Sequence, residues 1–64
     1  MDAQHAFKVL GLHSYVTKRD VEVRYRELAM IRHPDRGGDA RSMAELNEAR
    51  EAALAFLARG MVRR

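Results

Sequence analysis

The sequence has no cysteine and no tryptophan, a single proline and only four glycines. Without cysteine there is no disulfide framework, no thiolate zinc site and no cysteine nucleophile. The three histidines, His5, His13 and His33, have no spacing that brings two onto one helical face as metal ligands. No metal and no cofactor are therefore expected. No apolar run approaches the ~20 residues that a bilayer span needs. The N-terminal MDAQHAFK has neither a basic flank nor an apolar signal core. The reading is a soluble, unexported, cytoplasmic chain without membrane association. At 64 residues it has room for one small domain, stable by roughly a few kcal/mol.

What is present is enough for a core and a solvated exterior. Apolar residues make up 47% of the chain and charged ones 33%, which excludes a disordered segment. Twelve basic residues against nine acidic ones give a net charge of +3 and a pI near 10.0. Such a balance suits a nucleic-acid surface or an acidic protein partner.

Pro34 and the glycines at 11, 37, 38 and 60 cut the chain into three segments of helical periodicity. The first is expected over 3–10, with Asp2 as N-cap and Gly11 as the residue after its end. Ala6, Phe7 and Leu10 share one face. The second is expected over 18–32, with Thr17 as N-cap and Asp20 at the third position of the first turn. Val21, Tyr25 and Leu28 line its apolar face, while Arg19, Val23, Arg26 and Met30 lie opposite. Asp20–Arg24 and Glu22–Arg26 are acid-first pairs at i, i+4. Pro34 disfavours the α region at His33 and should end this helix near Arg32.

The third segment is expected over 40–59, N-capped by Asp39 and stopped before Gly60. Met43, Leu46, Ala53, Leu54 and Leu57 form its stripe. Arg50 falls inside that stripe, and Arg32 inside the stripe of the second segment. The plain reading is that their stems cover the core edge while the guanidinium heads reach water. The expected core is Phe7, Leu10, Val21, part of Tyr25, Leu28, Met43, Leu46, Ala53 and Leu57.

Between the two longer segments the chain reads Arg32-His33-Pro34-Asp35-Arg36-Gly37-Gly38-Asp39. Pro34 fixes its own φ and restrains the residue before it, so an imidazole and a carboxylate are held in a set geometry at a helix end. The tripeptide follows Tyr25, Arg26 and Leu28-Ala29-Met30, and precedes Glu45-Leu46-Asn47-Glu48-Ala49. Near the start stands Phe7-Lys8-Val9-Leu10-Gly11-Leu12. Together these residues resemble the J-domain of the DnaJ co-chaperone family, across about Ala6 to Leu57.

The resemblance implies an all-α fold in which a short first helix packs on an antiparallel hairpin of two longer helices, the His-Pro-Asp loop lying between them. It also implies a function: docking on a DnaK-type chaperone and stimulating its ATP hydrolysis, with no catalysis in this chain. His33, Pro34 and Asp35 match the family motif. Asp35 can accept charge-assisted hydrogen bonds from an arginine of the partner, His33 can offer a directed donor, and Pro34 limits the entropy lost on docking. Arg19 and Arg26 match the family's basic face, Tyr25 an aromatic contact position, and Arg36 a basic residue after the motif.

There are departures. Met43 stands where the family often has Phe, and Arg32 and Arg50 where it often has Tyr. Glu22 and Glu27 lie on or beside the basic face, so the second segment carries five bases against three acids. Pairing of Glu22 with Arg26 would blunt that face. On this reading Glu22→Lys should tighten docking and Arg26→Ala weaken it.

Other readings are less well supported. Ser14 or Ser42 with His33 as base would need an oxyanion loop that the sequence does not supply. His5 and His13 lack any such context and read as surface residues. A small basic helical module that binds nucleic acid is the alternative, given two helices joined by a Gly-containing turn. The connection is too long for that motif, however. The third segment also balances Arg41, Arg50 and Arg59 against Glu45, Glu48 and Glu51, whereas a recognition helix needs excess positive charge. A monomer is expected, partnered by a chaperone and not by nucleic acid.

Overall fold

A computed structural model describes residues 1–13, 15–33 and 40–62. Three helices follow in order: α1 (Ala3–Leu10), α2 (Lys18–Arg32) and α3 (Ala40–Val62). No strand occurs among the described residues. Both α1 and α2 pack on α3 and touch each other less. Ties from Glu22 to Arg50 and from Tyr25 to Asn47 run in opposite chain directions. Helices α2 and α3 are therefore an antiparallel hairpin, and the fold is the all-α J-domain architecture.

The starts of α1 and α2 each have a local cause. The Asp2 carboxylate accepts from the His5 N–H at 2.8 Å and opens α1. Thr17 Oγ1 accepts from the Asp20 N–H at 3.2 Å, and the Asp20 carboxylate accepts from the Thr17 N–H at 3.0 Å. This reciprocal box satisfies two backbone donors that would otherwise lack partners. Helix α2 ends where His33 turns extended, at φ −60° and ψ 137°, as the following proline requires. Asp39, the expected cap of α3, lies outside the described residues.

Gly11 closes α1 at φ +73°. Its N–H donates to the Lys8 carbonyl at 3.0 Å, and the Leu12 N–H to the Phe7 carbonyl at 2.8 Å. Arg24 of α2 then reaches the Leu10 carbonyl through Nε at 2.9 Å, tying α1's end to its neighbour. A Cβ on Gly11 would stand 3.3 Å from Arg24 Nη2. Gly60 contrasts with it, for α3 continues past the stop expected at this residue, to Val62. Glycine in a helix costs about 1 kcal/mol relative to alanine, which need not end it when no proline follows. Gly11→Ala should cost about 1–2 kcal/mol, or roughly 4–8 °C of Tm per kcal/mol. Gly60→Ala, with open space around its site, should raise Tm instead. Thermal melts followed by circular dichroism check both signs.

The core comprises Ala6, Phe7, Leu10, Val21, Leu46, Ala49 and Ala53. Val9, Leu12, Val16, Tyr25, Leu28, Met43, Leu54 and Leu57 are partly buried around it. The expected members are therefore all present at the centre or its rim. Ala6 and Ala49 are additions, and their small side chains let helix axes approach closely. Outside the core, the exposed Phe56 meets Phe7 edge to face with centroids 5.6 Å apart. Helix α3 carries both α1 and α2, as the expected packing of the short first helix on the hairpin requires.

Candidate chaperone-docking site

Helix α2 exposes one face and ties down the other. Arg19, Val23, Arg26 and Met30 are all exposed. They recur at steps of three or four residues and so form one strip. Beside this strip runs an open groove lined by Glu22, Tyr25, Arg26, Ala29, Met30, His33 and Arg50. Tyr25, Arg26 and His33 thus come together in one surface depression, while Arg19 stands further along the strip towards the start of α2. His33 itself is exposed. Pro34, Asp35 and Arg36 lie outside the described residues.

The groove wall on the α3 side is polar. Arg50 donates through Nε to Glu22 Oε1 and through Nη2 to Glu22 Oε2, both at 2.9 Å. This fork-on-fork geometry is the strong form of an arginine–carboxylate pair. The Arg50 guanidinium carbon also sits 5.3 Å from the Tyr25 ring centroid, within cation–π range. The Tyr25 hydroxyl in turn donates to Asn47 Oδ1 at 2.5 Å. Near the end of α2, Arg32 Nη1 lies 3.6 Å from Glu45 Oε1. Three polar ties therefore join α2 and α3 along one seam.

These contacts correct the expected charge pairing. Glu22 pairs with Arg50 across the hairpin, and Arg24 pairs with Glu27 at 3.2 Å and not with Asp20. Arg50 and Arg32 end on carboxylates of the neighbouring helix, not simply in water. The bidentate bonds from Arg50 hold the Glu22 carboxyl below its ordinary range against a smaller opposing effect of burial; the charges of Arg50, Lys18 and Arg26 add to the lowering. The Arg50 guanidinium is correspondingly raised by the same bonds. A lowered acid pKa stabilises the fold above the ordinary glutamate range, and that contribution is lost as pH falls through the lowered value. Glu22→Lys would set an ammonium against Arg50 and open the seam, so it is not a clean way to strengthen the basic face.

The arrangement holds nothing suited to a metal: no group of three or more His, Asp or Glu side chains converges among the described residues. Among the same residues no helix is long and apolar enough to cross a membrane. What the geometry offers is a small tied hairpin with two exposed arginines on a strip, a groove beside it and a histidine among the groove's lining.

Comparison with known proteins agrees. The chain is 36% identical over 50 residues to the mitochondrial import inner membrane translocase subunit TIM14 of Dictyostelium discoideum, covering 78% of this chain and 44% of that protein. It is 37% identical over 46 residues to the chaperone protein DnaJ of Mycoplasmopsis pulmonis, covering 72% and 12% respectively. A tetratricopeptide repeat and J domain-containing co-chaperone of Cryptococcus neoformans is 42% identical over 45 residues, covering 70% and 9%. The chain is a J-domain of the DnaJ co-chaperone family. It spans less than half the length of each of these relatives. No protein-family model and no solved structure matches it.

Proposed function

We propose that this J-domain docks on a DnaK-type chaperone of the heat-shock 70 class and stimulates its ATP hydrolysis, coupling hydrolysis to client binding. The observation that carries the reading is the placement of His33, first residue of His33-Pro34-Asp35, at the end of the groove that also holds Tyr25 and Arg26. Arg19 and Arg26 steer the encounter with an acidic chaperone surface. The Tyr25 ring edge and Met30 supply apolar contact. Asp35 accepts from an arginine of the chaperone, His33 donates, Pro34 stiffens the loop, and Arg36 adds charge after the motif. The chain catalyses nothing itself; it acts as a monomer, in the cytoplasm, without metal or cofactor.

Single-turnover ATP hydrolysis by a bacterial DnaK-type chaperone, with and without the domain, tests this directly. An unchanged rate over a range of domain concentrations would refute it. The nucleic-acid alternative is tested in parallel by electrophoretic shift of random duplex at low salt.

A further inference from the structure

We propose that Arg50 is a positioning residue that withholds the Glu22 carboxylate from Arg26, so that the exposed strip of α2 keeps its positive charge. This deepens the docking reading given above and rests on it for its consequence, though not for its geometry. Glu22 has two arginines within reach. Arg26 follows it by one turn on the same helix, in the acid-first order that favours a pair. Arg50 comes from α3. It is Arg50 that takes both carboxylate oxygens, and Arg26 has no ion-pair partner among the described residues.

The physical reason lies in which side chain is already ordered. Arg50 lies over the Tyr25 ring, and the Tyr25 hydroxyl is held by Asn47. Its planar fork is thus set in place before Glu22 meets it, and little rotamer freedom is lost in closing the pair. A Glu22–Arg26 pair on the helix surface would have to order two long side chains in water for a small return. Arg50 is also the largest cause of the lowered Glu22 pKa, ahead of Lys18 and Arg26. The acid one turn before Arg26, Glu22, is therefore neutralised from α3. Arg19 and Arg26 remain as cationic points on the strip, with Val23 and Met30 interleaved.

The test uses Arg50→Leu, which keeps an apolar stem on α3 and removes the guanidinium. Arg50→Gln serves as a second variant in case the first folds poorly. Nitrogen-detected NMR titration of the carboxylates reads the geometry without any partner. In the parent, ionisation of Glu22 should register at Arg50 Nε; in either variant it should move to Arg26 Nε. With the chaperone added, either variant should dock about two- to fivefold more weakly at low salt. The difference should shrink at about 300 mM salt, where the Debye length is roughly 6 Å. Adding Glu22→Gln should restore affinity. If Glu22 ionisation never registers at Arg26 in the variants, the proposal is wrong. A double variant that stays as weak as the single one would make the pair merely structural and overturn it too. If the NMR signature moves but the parent binds no chaperone, the docking reading fails and the withholding of Glu22 stands.

Discussion

His33→Gln is expected to reduce ATPase stimulation to the chaperone's basal rate while leaving helix content and Tm almost unchanged. The side chain is exposed, beyond the last helical residue of α2, and the backbone there is already extended. A substitution at such a site shifts folding by about ±0.5 kcal/mol, roughly 4 °C at most for a domain this small. Glutamine keeps a donor and similar bulk but places its amide away from where a ring N–H would point. The loss should therefore fall on the rate of the stimulated step, with docking through Arg19 and Arg26 largely retained. Single-turnover hydrolysis at saturating domain, beside circular dichroism melts, separates the two effects. Full stimulation by the variant would show that His33 does not carry the activity, even with the fold intact.

The largest effect on stability is expected at Leu46. Its side chain is fully buried where α1 and α2 both meet α3. Truncation to alanine removes three carbons from a packed interior, and such changes cost about 2–5 kcal/mol. A domain of this length has about that much stability in total. Leu46→Ala should therefore melt at least about 8 °C lower, by the roughly 4–8 °C that each kcal/mol is worth here, or lack a cooperative transition. Stimulation should be lost with the fold and not before it. A cooperative melt within 4 °C of the parent would mean that α3 is not the element on which the other two helices depend.

Much of this architecture was legible in local sequence. Asp2, Thr17 with Asp20, Gly11 and Pro34 act through bonds and torsions within a few residues of themselves, so their effects can be read without knowing what packs where. Gly60 was misleading because a glycine inside a helix is a modest cost and not a stop. Ala6 and Ala49 are core residues outside the expected set, because a small side chain gives a weak periodic signal and its burial depends on how closely the helices approach.

The polar seam lay half in view. Counting equally inward from Arg32 and from Ala40 sets Glu22 opposite Arg50 and Tyr25 opposite Asn47, a register available once the two helix bounds are known. Arg50 within an apolar stripe was the signal. A stem at the core edge with its head in water accounts for such an arginine equally well, so the stripe alone does not point to a carboxylate across the hairpin.

By itself, then, the sequence determined the three helices, the caps of the first two, the apolar residues available for a core and the His33-Pro34-Asp35 motif between the longer pair. Only the tertiary structure decided which arginine holds Glu22, that Tyr25 serves Asn47 and Arg50 as well as the groove, and that α3 is shared by two partners. The reason is physical. Caps and turns are settled by the chain's own near neighbours, whereas a charged side chain with two candidate partners is settled by whichever one packing has already ordered. In this domain that ordering comes from the Tyr25 ring, 22 residues before Asn47 in the chain and one hydrogen bond away in space.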